Sequence, residues 1–332
     1  MTLSSLSVGV IGAGEMVARY HLPTLHALKP VVRIDWLADS DYKKARLIGN
    51  AYGVKPLRIP EQASALPATD VVLVAIPYGA RGQYWKSLRE RSSAVYLEKP
   101  IAQTVAEHRE MCTWFAPHRL GCGYQRRSWG GTLLLKELIE TELFGSLERI
   151  RLGFGSPGTS QWSGYSANVG LAGGGVLFEF AVHWIDQMLF CTSATSVNVQ
   201  GVQMIVDEGY DLHTEALVSL TVKNRSIACD MTISRLKDTS ESMEFDFKQA
   251  SVIASYLTDD IIVKSKTGRC FYRLLPDRGP LHPKTPRQTL HSHWCEFLGG
   301  IRTATINRTS AAECTLTTEL LEALYRAGSA ES

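Results

Sequence analysis

Two periodicities divide the chain. In its first third, short continuous apolar runs alternate with stretches of helical spacing, and beyond residue 145 apolar residues recur at every second position. The runs Leu6–Ile11 (LSVGVI), Val32–Ala38, Val71–Ile76 (VVLVAI), Ala94–Leu97 and Leu120–Tyr124 predict parallel strands buried on both faces. Helices are expected from Glu15, near Tyr42 and over Thr104–Phe115. After a further helix at Thr132–Glu142, ending at Gly145, alternation takes over. Ile150, Leu152 and Phe154 share one face of Glu148–Phe154. So do Ala216, Val218, Leu220 and Val222 in Glu215–Val222, and Ile227, Cys229, Met231 and Ile233 in Ser226–Ser234. Met243, Phe245 and Phe247 repeat the pattern, as do Val252–Tyr256 and Ile261–Lys264. Asn224-Arg225 reads as a two-residue hairpin turn. The opposite face is mixed (Ser219, Thr221, Asp230, Thr232) and suits either solvent or a subunit interface. Pro276–Pro286 reads as a loop, and helices at His291–Arg302 and Ser310–Ala327 close the chain, the second with Ser310 and Glu313 as a capping box.

These elements predict an α/β domain over residues 1–122, followed by an α+β domain over 123–332. The second has an open-faced, mainly antiparallel sheet with helices on one face. A length of 332 residues is ample for two cores, and 45% apolar with 20% charged residues is ordinary for a globular protein. The net charge of +2, with no basic block, argues against nucleic acid or a membrane surface as partner. No run reaches transmembrane length, and the first apolar segment reads as a strand rather than a signal peptide. The seven cysteines are scattered without zinc-ligand spacing, which points to buried thiols, a reducing cytoplasm and no metal site.

Candidate chemistry lies at three places. Gly12-Ala13-Gly14 directly follows the first strand and opens a helix. The first glycine permits a tight turn, the second lets a pyrophosphate approach the backbone, and the helix N-terminus favours its charge. Val17 occupies the third position of G-x-G-x-x-G, so the pattern is degenerate. Asp39 ends the second strand, where an acidic residue binds a ribose 2′-OH, or alternatively caps the helix near Tyr42. Ser40 follows it with no arginine behind, favouring NAD over NADP, although Lys43 and Lys44 are within reach of a phosphate. Lys99 and Pro100 sit at the carboxyl end of a parallel strand, where open α/β sheets bind ligands. In Gly173–Asp186, GGGVLFEFAVHWID, the residues Glu179, His183 and Asp186 fall on one face if the segment is an α-helix. That stripe reads either as a carboxylate-oriented imidazole base or as a solvated helix face. Trp162 and Tyr165 read as core aromatics ahead of sugar-stacking ones.

With these residues in place, the chain resembles the glucose-fructose oxidoreductase / inositol dehydrogenase / rhizopine-catabolism (Gfo/Idh/MocA) family. The likeness runs through VGVIGAGEMVARYHLPTL, Glu98-Lys99-Pro100, Gly123–Arg127 (GYQRR) and GGGVLFEFAVHWID. It implies a Rossmann domain followed by an open-faced sheet domain. It also implies a secondary alcohol or ketone of a sugar or cyclitol as substrate, with hydride exchanged at C4 of a nicotinamide. Lys99 matches the family's active-site lysine, His183 its catalytic histidine and Glu179 the usual aspartate, with the Lys99-Pro100 bond often cis. On the cofactor side the resemblance points to Gly12, Gly14, Glu15, Met16, Asp39 and Ser40. Ile76, Pro77, Tyr78, Glu98, Lys99, Pro100 and Gln125 complete that set. Arg126, Asn168 and His293 are candidate substrate contacts beside Lys99 and His183, and each reads equally as a surface or capping residue. The chain departs from the family at Glu179, at Gln125 and at Ile76–Arg81, where Tyr78 and Arg81 replace the usual Asn and His. A homodimer or homotetramer is a further implication. Two other classes use the same residues: an enzyme oxidising transiently with tightly held NAD, and a dinucleotide-binding regulator without turnover.

Overall fold

The computed structural model describes residues 4–60, 63–155, 157, 164–255, 260–268, 271–274 and 286–330. The chain forms two compact units that are not simply consecutive. The first comprises Met1–Ile101, Ala106–Gln125 and Thr285–Glu313, the second Ala102–Val105, Arg126–Lys284 and Cys314–Ser332. A linear division at residue 122 therefore misses a segment that returns late to the first unit.

In the first unit, β1 (Leu6–Ile11) leads through a π-helical turn at Val17–His21 into α1 (Leu22–Ala27). There follow β2 (Val32–Asp39), α2 (Tyr42–Tyr52), β3 (Lys55–Arg58), β4 (Val71–Val74), α3 (Gly82–Arg89), β5 (Ala94–Leu97), α4 (Val105–Trp114) and β6 (Leu120–Cys122). The strands form one parallel six-stranded sheet in the order β3-β2-β1-β4-β5-β6. Every residue of β4 and β5 is buried, as their unbroken apolar runs require of strands covered on both faces. β4 stops at Val74 and β6 at Cys122, each two residues earlier than expected. Beyond those ends the rim is still tied together. Gly12 N–H donates to Ala38 O at 2.8 Å, Ala75 N–H to Ile11 O at 2.8 Å, Glu98 N–H to Val74 O at 3.0 Å and Gly123 N–H to Leu97 O at 2.8 Å.

The second unit carries α5 (Gly130–Thr141), β7 (Leu147–Gly155), α6 (Val169–Ala172), a π-helical turn at Leu177–Ala181 and α7 (Val182–Thr192). Its remaining strands are β8 (Ser196–Asp207), β9 (Tyr210–Val222), β10 (Arg225–Ser234), β11 (Ser242–Phe247), β12 (Ala250–Ser255), β13 (Ile261–Ser265) and β14 (Phe271–Leu274). They make one eight-stranded sheet, β14-β13-β12-β11-β7-β10-β9-β8, antiparallel except for β7 beside β10. The alternating residues do form a buried row, with Ile150, Val218, Leu220, Cys229, Met243, Phe245 and Phe247 all fully enclosed. The other face carries exposed ion pairs across strands, Arg149 with Asp230 at 2.5 Å and Arg151 with Asp246 at 2.6 Å. The β9–β10 turn is Lys223-Asn224, one residue before the expected pair, because Val222 faces Arg225 and both turn residues have positive φ, 47° and 62°.

The last two helices divide between the units. α8 (Pro286–Thr303) belongs to the first and starts five residues earlier than expected. It sends Leu290, Trp294, Phe297 and Leu298 into the core with Val10, Leu73 and Tyr96. α9 (Thr315–Ala330) belongs to the second and is preceded by a 3-10 turn at Ala311–Cys314. Ser310, expected to cap it, donates its hydroxyl to Pro117 O at 2.7 Å. The expected loop at Pro276–Pro286 lies outside the described residues up to position 285, and Pro286 opens α8. Among the described residues no helix is long and apolar enough to cross a membrane.

One strand tests the one-sided core. Leu220 is fully buried and Leu217, on the same strand, is 39% exposed. Leu220→Ala is expected to cost roughly 2–5 kcal/mol in urea unfolding, and Leu217→Ala under about 1 kcal/mol. Equal losses would contradict a single apolar face.

Candidate active site

In the first unit the site is built along the sheet rim. Gly12 leaves β1 with φ of +105°, and a Cβ there would overlap the Ala75 carbonyl, so the turn itself demands glycine. Gly14 is different. Its backbone angle suits any residue, and a Cβ would meet nothing within 4 Å. The fold does not need glycine there, whereas a pyrophosphate lying against the backbone does. Asp39, at the end of β2, accepts the Ala13 N–H at 2.6 Å on one oxygen and the Asp41 N–H at 2.8 Å on the other. The α2 cap is Asp41, which accepts from Lys43 N and Lys44 N at 3.0 and 3.4 Å. The capping role considered for Asp39 thus falls to its neighbour. Glu15 and Ser40 are exposed and Met16 is half-buried. Glu15 pairs with Arg19 at 2.8 Å, one turn along.

Ile76, Pro77 and Tyr78 are half-buried just past β4, and the Tyr78 hydroxyl donates to Glu107 at 2.6 Å. Arg81, where the family usually has histidine, is buried and structural. It donates to Ile76 O at 3.2 Å and to Pro100 O at 2.5 Å, bracing the loop after β4 against the loop after β5. Burial pulls its guanidinium below the ordinary value, opposed by nearby Cys122, Glu98, Tyr124 and Tyr78. Lys99 is half-buried between buried Glu98 and Pro100, and the Lys99-Pro100 bond is cis, as the resemblance implied. At the exit of β6, Gln125 buries an amide oxygen that has no hydrogen-bond partner among the described residues. That oxygen and the open space at Gly14 are two features a dinucleotide would fill, so the residues present fit one.

His293 does not join this rim as a substrate contact. It is fully buried and donates from Nε2 to Cys122 O at 2.8 Å, with Tyr96 edge-on at 6.0 Å. The sequence shows only a histidine near a helix start, and burial on α8 is what reassigns it to the core.

In the second unit the site grows from the three glycines. Gly173 ends α6 with φ of +87°. Gly175 lies so close to Asp211 that a Cβ would overlap that residue's backbone. Asp211, buried on β9, accepts Gly175 N–H at 2.6 Å, Leu177 N–H at 2.8 Å and the Tyr325 hydroxyl at 2.6 Å. It therefore caps the helical segment from the neighbouring strand. Burial raises its carboxyl to about 6, although the Tyr325, Leu177 and Gly175 hydrogen bonds pull the other way.

The expected α-helical stripe of Glu179, His183 and Asp186 is interrupted by the π turn at Leu177–Ala181, which offsets Glu179 from the other two, both on α7. Glu179 and His183 stay half-buried, with Phe180 beside them, while Asp186 is fully buried. Asp186 takes a bidentate pair from Arg127 at 2.7 and 2.8 Å and the Thr317 hydroxyl at 2.8 Å. Glu179 pairs with Arg235 at 3.3 Å, whose guanidinium lies over the Phe180 ring at 5.3 Å. Arg235, Arg127 and Asp211 were not legible as parts of this region, since each lies on another element.

Arg126 is half-buried over Trp129 at 4.4 Å and near Trp184 at 5.8 Å, a cation held by indole faces. Asn168 is exposed and caps the four-residue α6, accepting from Leu171 N at 3.2 Å, so its capping reading is the one the fold uses. Tyr165 is 50% exposed rather than in the core, and Trp162 lies outside the described residues. Among the described residues no group of three metal-ligating side chains converges.

Comparison with known proteins agrees with this layout. Residues 6–123 match the oxidoreductase family with an NAD-binding Rossmann fold (GFO_IDH_MocA), and residues 132–252 match the GFO/IDH/MocA C-terminal domain. A D-glucoside 3-dehydrogenase of Escherichia coli (strain K12) is 28% identical over 217 residues, covering 62% of this chain and 60% of that protein. A 3-ketoreductase variant from Actinomadura kijaniata, in complex with TDP-benzene and NADP, superposes with a TM-score of 0.81 at 15% identity over 98% of both chains. An oxidoreductase from Agrobacterium radiobacter, in complex with NAD+, L-tartaric acid and magnesium, gives 0.75 at 16% identity over 99% of this chain and 98% of that one. At such identities the structural likeness speaks for the fold alone.

Asp211 yields a pH signature. Its folded carboxyl, near 6 against an ordinary 3.8, binds a proton more tightly than the unfolded one. The resulting stabilisation is complete below the unfolded value and is lost as pH rises through the folded one. Relative to Asp211→Asn, the wild-type protein should lose up to about 3 kcal/mol between about pH 4 and pH 7. Urea unfolding across that range measures it, and a pH-independent difference would contradict the buried, raised carboxyl.

Proposed function

The chain belongs to the GFO/IDH/MocA family of NAD(P)-binding oxidoreductases, and from that premise we propose that it interconverts a secondary alcohol and a ketone on a sugar, sugar derivative or cyclitol. One observation carries the reading. Each unit leaves a proton-active side chain, Lys99 or His183, half-exposed within a run of otherwise buried residues. The glucoside dehydrogenase and the ketoreductase among the similar proteins support a carbohydrate as substrate class.

In this reading His183 accepts the hydroxyl proton during oxidation and returns it during reduction. Lys99 donates a hydrogen bond to the reacting oxygen, stabilising the negative charge that develops there. Glu179, held by Arg235, orients the base, and Arg126 on its tryptophan shelf contacts the substrate. The nicotinamide dinucleotide, when bound, supplies the hydride acceptor or donor. Gly12 and Gly14 would hold its pyrophosphate and Asp39 its ribose, with Ile76–Tyr78, Pro100 and Gln125 along the rest of the rim. NAD is preferred to NADP because Asp39 and Asp41 place two carboxylates at the end of β2, which a 2′-phosphate would face as like charges.

Two measurements test this. Absorbance at 340 nm, with NAD and then NADP, is followed across free sugars, glycosides, cyclitols, sugar phosphates and nucleotide sugars. Turnover is expected with one carbohydrate class and a preference for NAD. Lys99→Ala and His183→Ala should then lower kcat by roughly 10²–10⁴-fold with little change in NAD affinity. Full turnover by His183→Ala would sink its assignment as base. Silence of the wild-type protein with NAD retained through purification would point instead to transient oxidation.

The cofactor loop gives a second prediction. Gly14→Ala should keep the wild-type melting temperature, since a Cβ meets nothing there, yet weaken NAD binding by at least about tenfold in calorimetry. Unchanged affinity would remove the pyrophosphate from this loop.

A further inference from the structure

The three glycines that open the Gly173–Asp186 segment answer to three different neighbours. Gly173 ends α6 in a left-handed turn, with φ of +87°. Neither Gly174 nor Gly175 has a left-handed φ, so the backbone angle alone does not demand glycine at either. What excludes a side chain is crowding. A Cβ on Gly174 would overlap the Tyr325 hydroxyl, and one on Gly175 would overlap the Asp211 backbone. The pair is a socket for one residue of α9 and one of β9. Within it Asp211 Oδ1 accepts the Tyr325 hydroxyl and Gly175 N–H, each at 2.6 Å, while Oδ2 accepts Leu177 N–H at 2.8 Å.

From this socket hydrogen bonds run on to Glu179 and return. Gly175 O accepts Glu179 N–H at 3.0 Å. The Glu179 carboxylate pairs with Arg235 at 3.3 Å, and Arg235 N–H donates to Leu212 O at 2.8 Å. Leu212 follows Asp211 on β9, so the ring closes on the strand where it began. Two neighbouring residues of one strand thus hold Glu179, by its backbone and by its carboxylate. His183, the second residue of α7, lies directly beyond the π turn that carries Glu179.

We propose that Tyr325 is a positioning residue: from the last helix it orients the Asp211 carboxylate, which clamps the Gly174–Leu177 backbone and through it sets the place of Glu179 and His183. This rests on the reading of His183 as the base. One hydroxyl matters because the carboxylate must serve two backbone N–H groups at once. Burial and the Asp211 charge raise the Tyr325 phenol well above its ordinary value, so it stays a donor. Its hydrogen bond also pulls the Asp211 carboxyl down, against the burial that raises it to about 6. Without the hydroxyl, Asp211 takes up its proton at higher pH, and a protonated carboxyl gives up an acceptor site. The charged and titratable groups on the elements around Asp211 are Tyr325 and the Glu322–Arg326 pair from α9, and Arg235 from beyond β10. Glu179 and His183 come from the segment itself, Asp207 from β8, and His213 with Glu215 from farther along β9.

Tyr325→Phe is the test, because the ring keeps its edge-on place 6.5 Å from Phe178 and only the hydroxyl goes. Amide hydrogen exchange over residues 173–183 is read residue by residue in the full chain, with folding checked by circular dichroism. Exchange should quicken at least about tenfold at Gly175 and Leu177 and, in step, at Glu179 and His183. Exchange that is unchanged, or quickened at Gly175 and Leu177 alone, overturns the proposal. With a carbohydrate that the wild type turns over, kcat should fall roughly 10–10²-fold while NAD affinity holds. The acid limb of the kcat profile should also move to higher pH. An unmoved limb overturns the proposal even where kcat falls, since lost packing alone does not shift it. Gly174→Ala, whose methyl would displace the same hydroxyl, should reproduce these results and decides the matter if Tyr325→Phe fails to fold. Full turnover by His183→Ala, beside quickened exchange through residue 183 in Tyr325→Phe, would sink the reading of His183 as base and leave the clamp standing.

Discussion

Close approach of one backbone to another is the constraint on which the rest of this structure depends. Gly12 donates its N–H to Ala38 O at 2.8 Å, and a β-carbon on it would overlap the Ala75 carbonyl, so no side chain fits. That contact lets β1 end between β2 and β4 and releases the chain toward the helix without a gap in the rim. Gly175 plays the same part in the second unit, seated on the Asp211 backbone. In both places a strand end dictates where the functional segment starts. Two missing β-carbons therefore matter more to the chemistry than any single side-chain contact near it.

Buried charge is the second organising factor. Arg127 with Asp186, Arg81 with two carbonyls, Glu98 with His21, and Asp211 with two amides and a phenol are each almost wholly enclosed. Asp186, Arg81 and Asp211 are each satisfied by more than one partner or by a bidentate contact, and Glu98 by His21, which offsets the cost of leaving water. Such groups contribute little net stability over an apolar core of the same volume, but removing one partner strands the other. Their value here is geometric. Arg81 and Glu98 brace the loop that carries Lys99, and Asp211 fixes the start of the segment that carries Glu179 and His183.

Much of this was legible in the chain itself. The parallel strands announced themselves as unbroken apolar runs, and the inner row of the large sheet announced itself by alternation, because burial alone writes both patterns. β3 and β8 were not legible. Both lie toward sheet edges with largely exposed residues, and β8 also carries register shifts that break its alternation. The late return of α8 to the first unit has no local signal, since Trp294 and Phe297 would serve any apolar core. The residues matching family motifs, Lys99 and His183, could be named from sequence. The residues that brace the segments around them, Arg235, Asp211 and Arg81, come from distant elements and could not be read from spacing.

The π turns explain why the helical phase misled at the most informative stretch. Val17–His21 and Leu177–Ala181 each insert one wide turn shortly after a functional glycine and just ahead of an α-helix. A wide turn accommodates an extra residue and shifts the phase of everything that follows. In the first unit it ends at His21, delivering that ring inward to Glu98. In the second it ends two residues before His183, so Glu179 is offset in phase from His183 and Asp186, which both lie on α7. A regular α-helix would have kept Glu179 in register with them. Within α7 itself Asp186 is buried and paired with Arg127, while His183 stays half-buried.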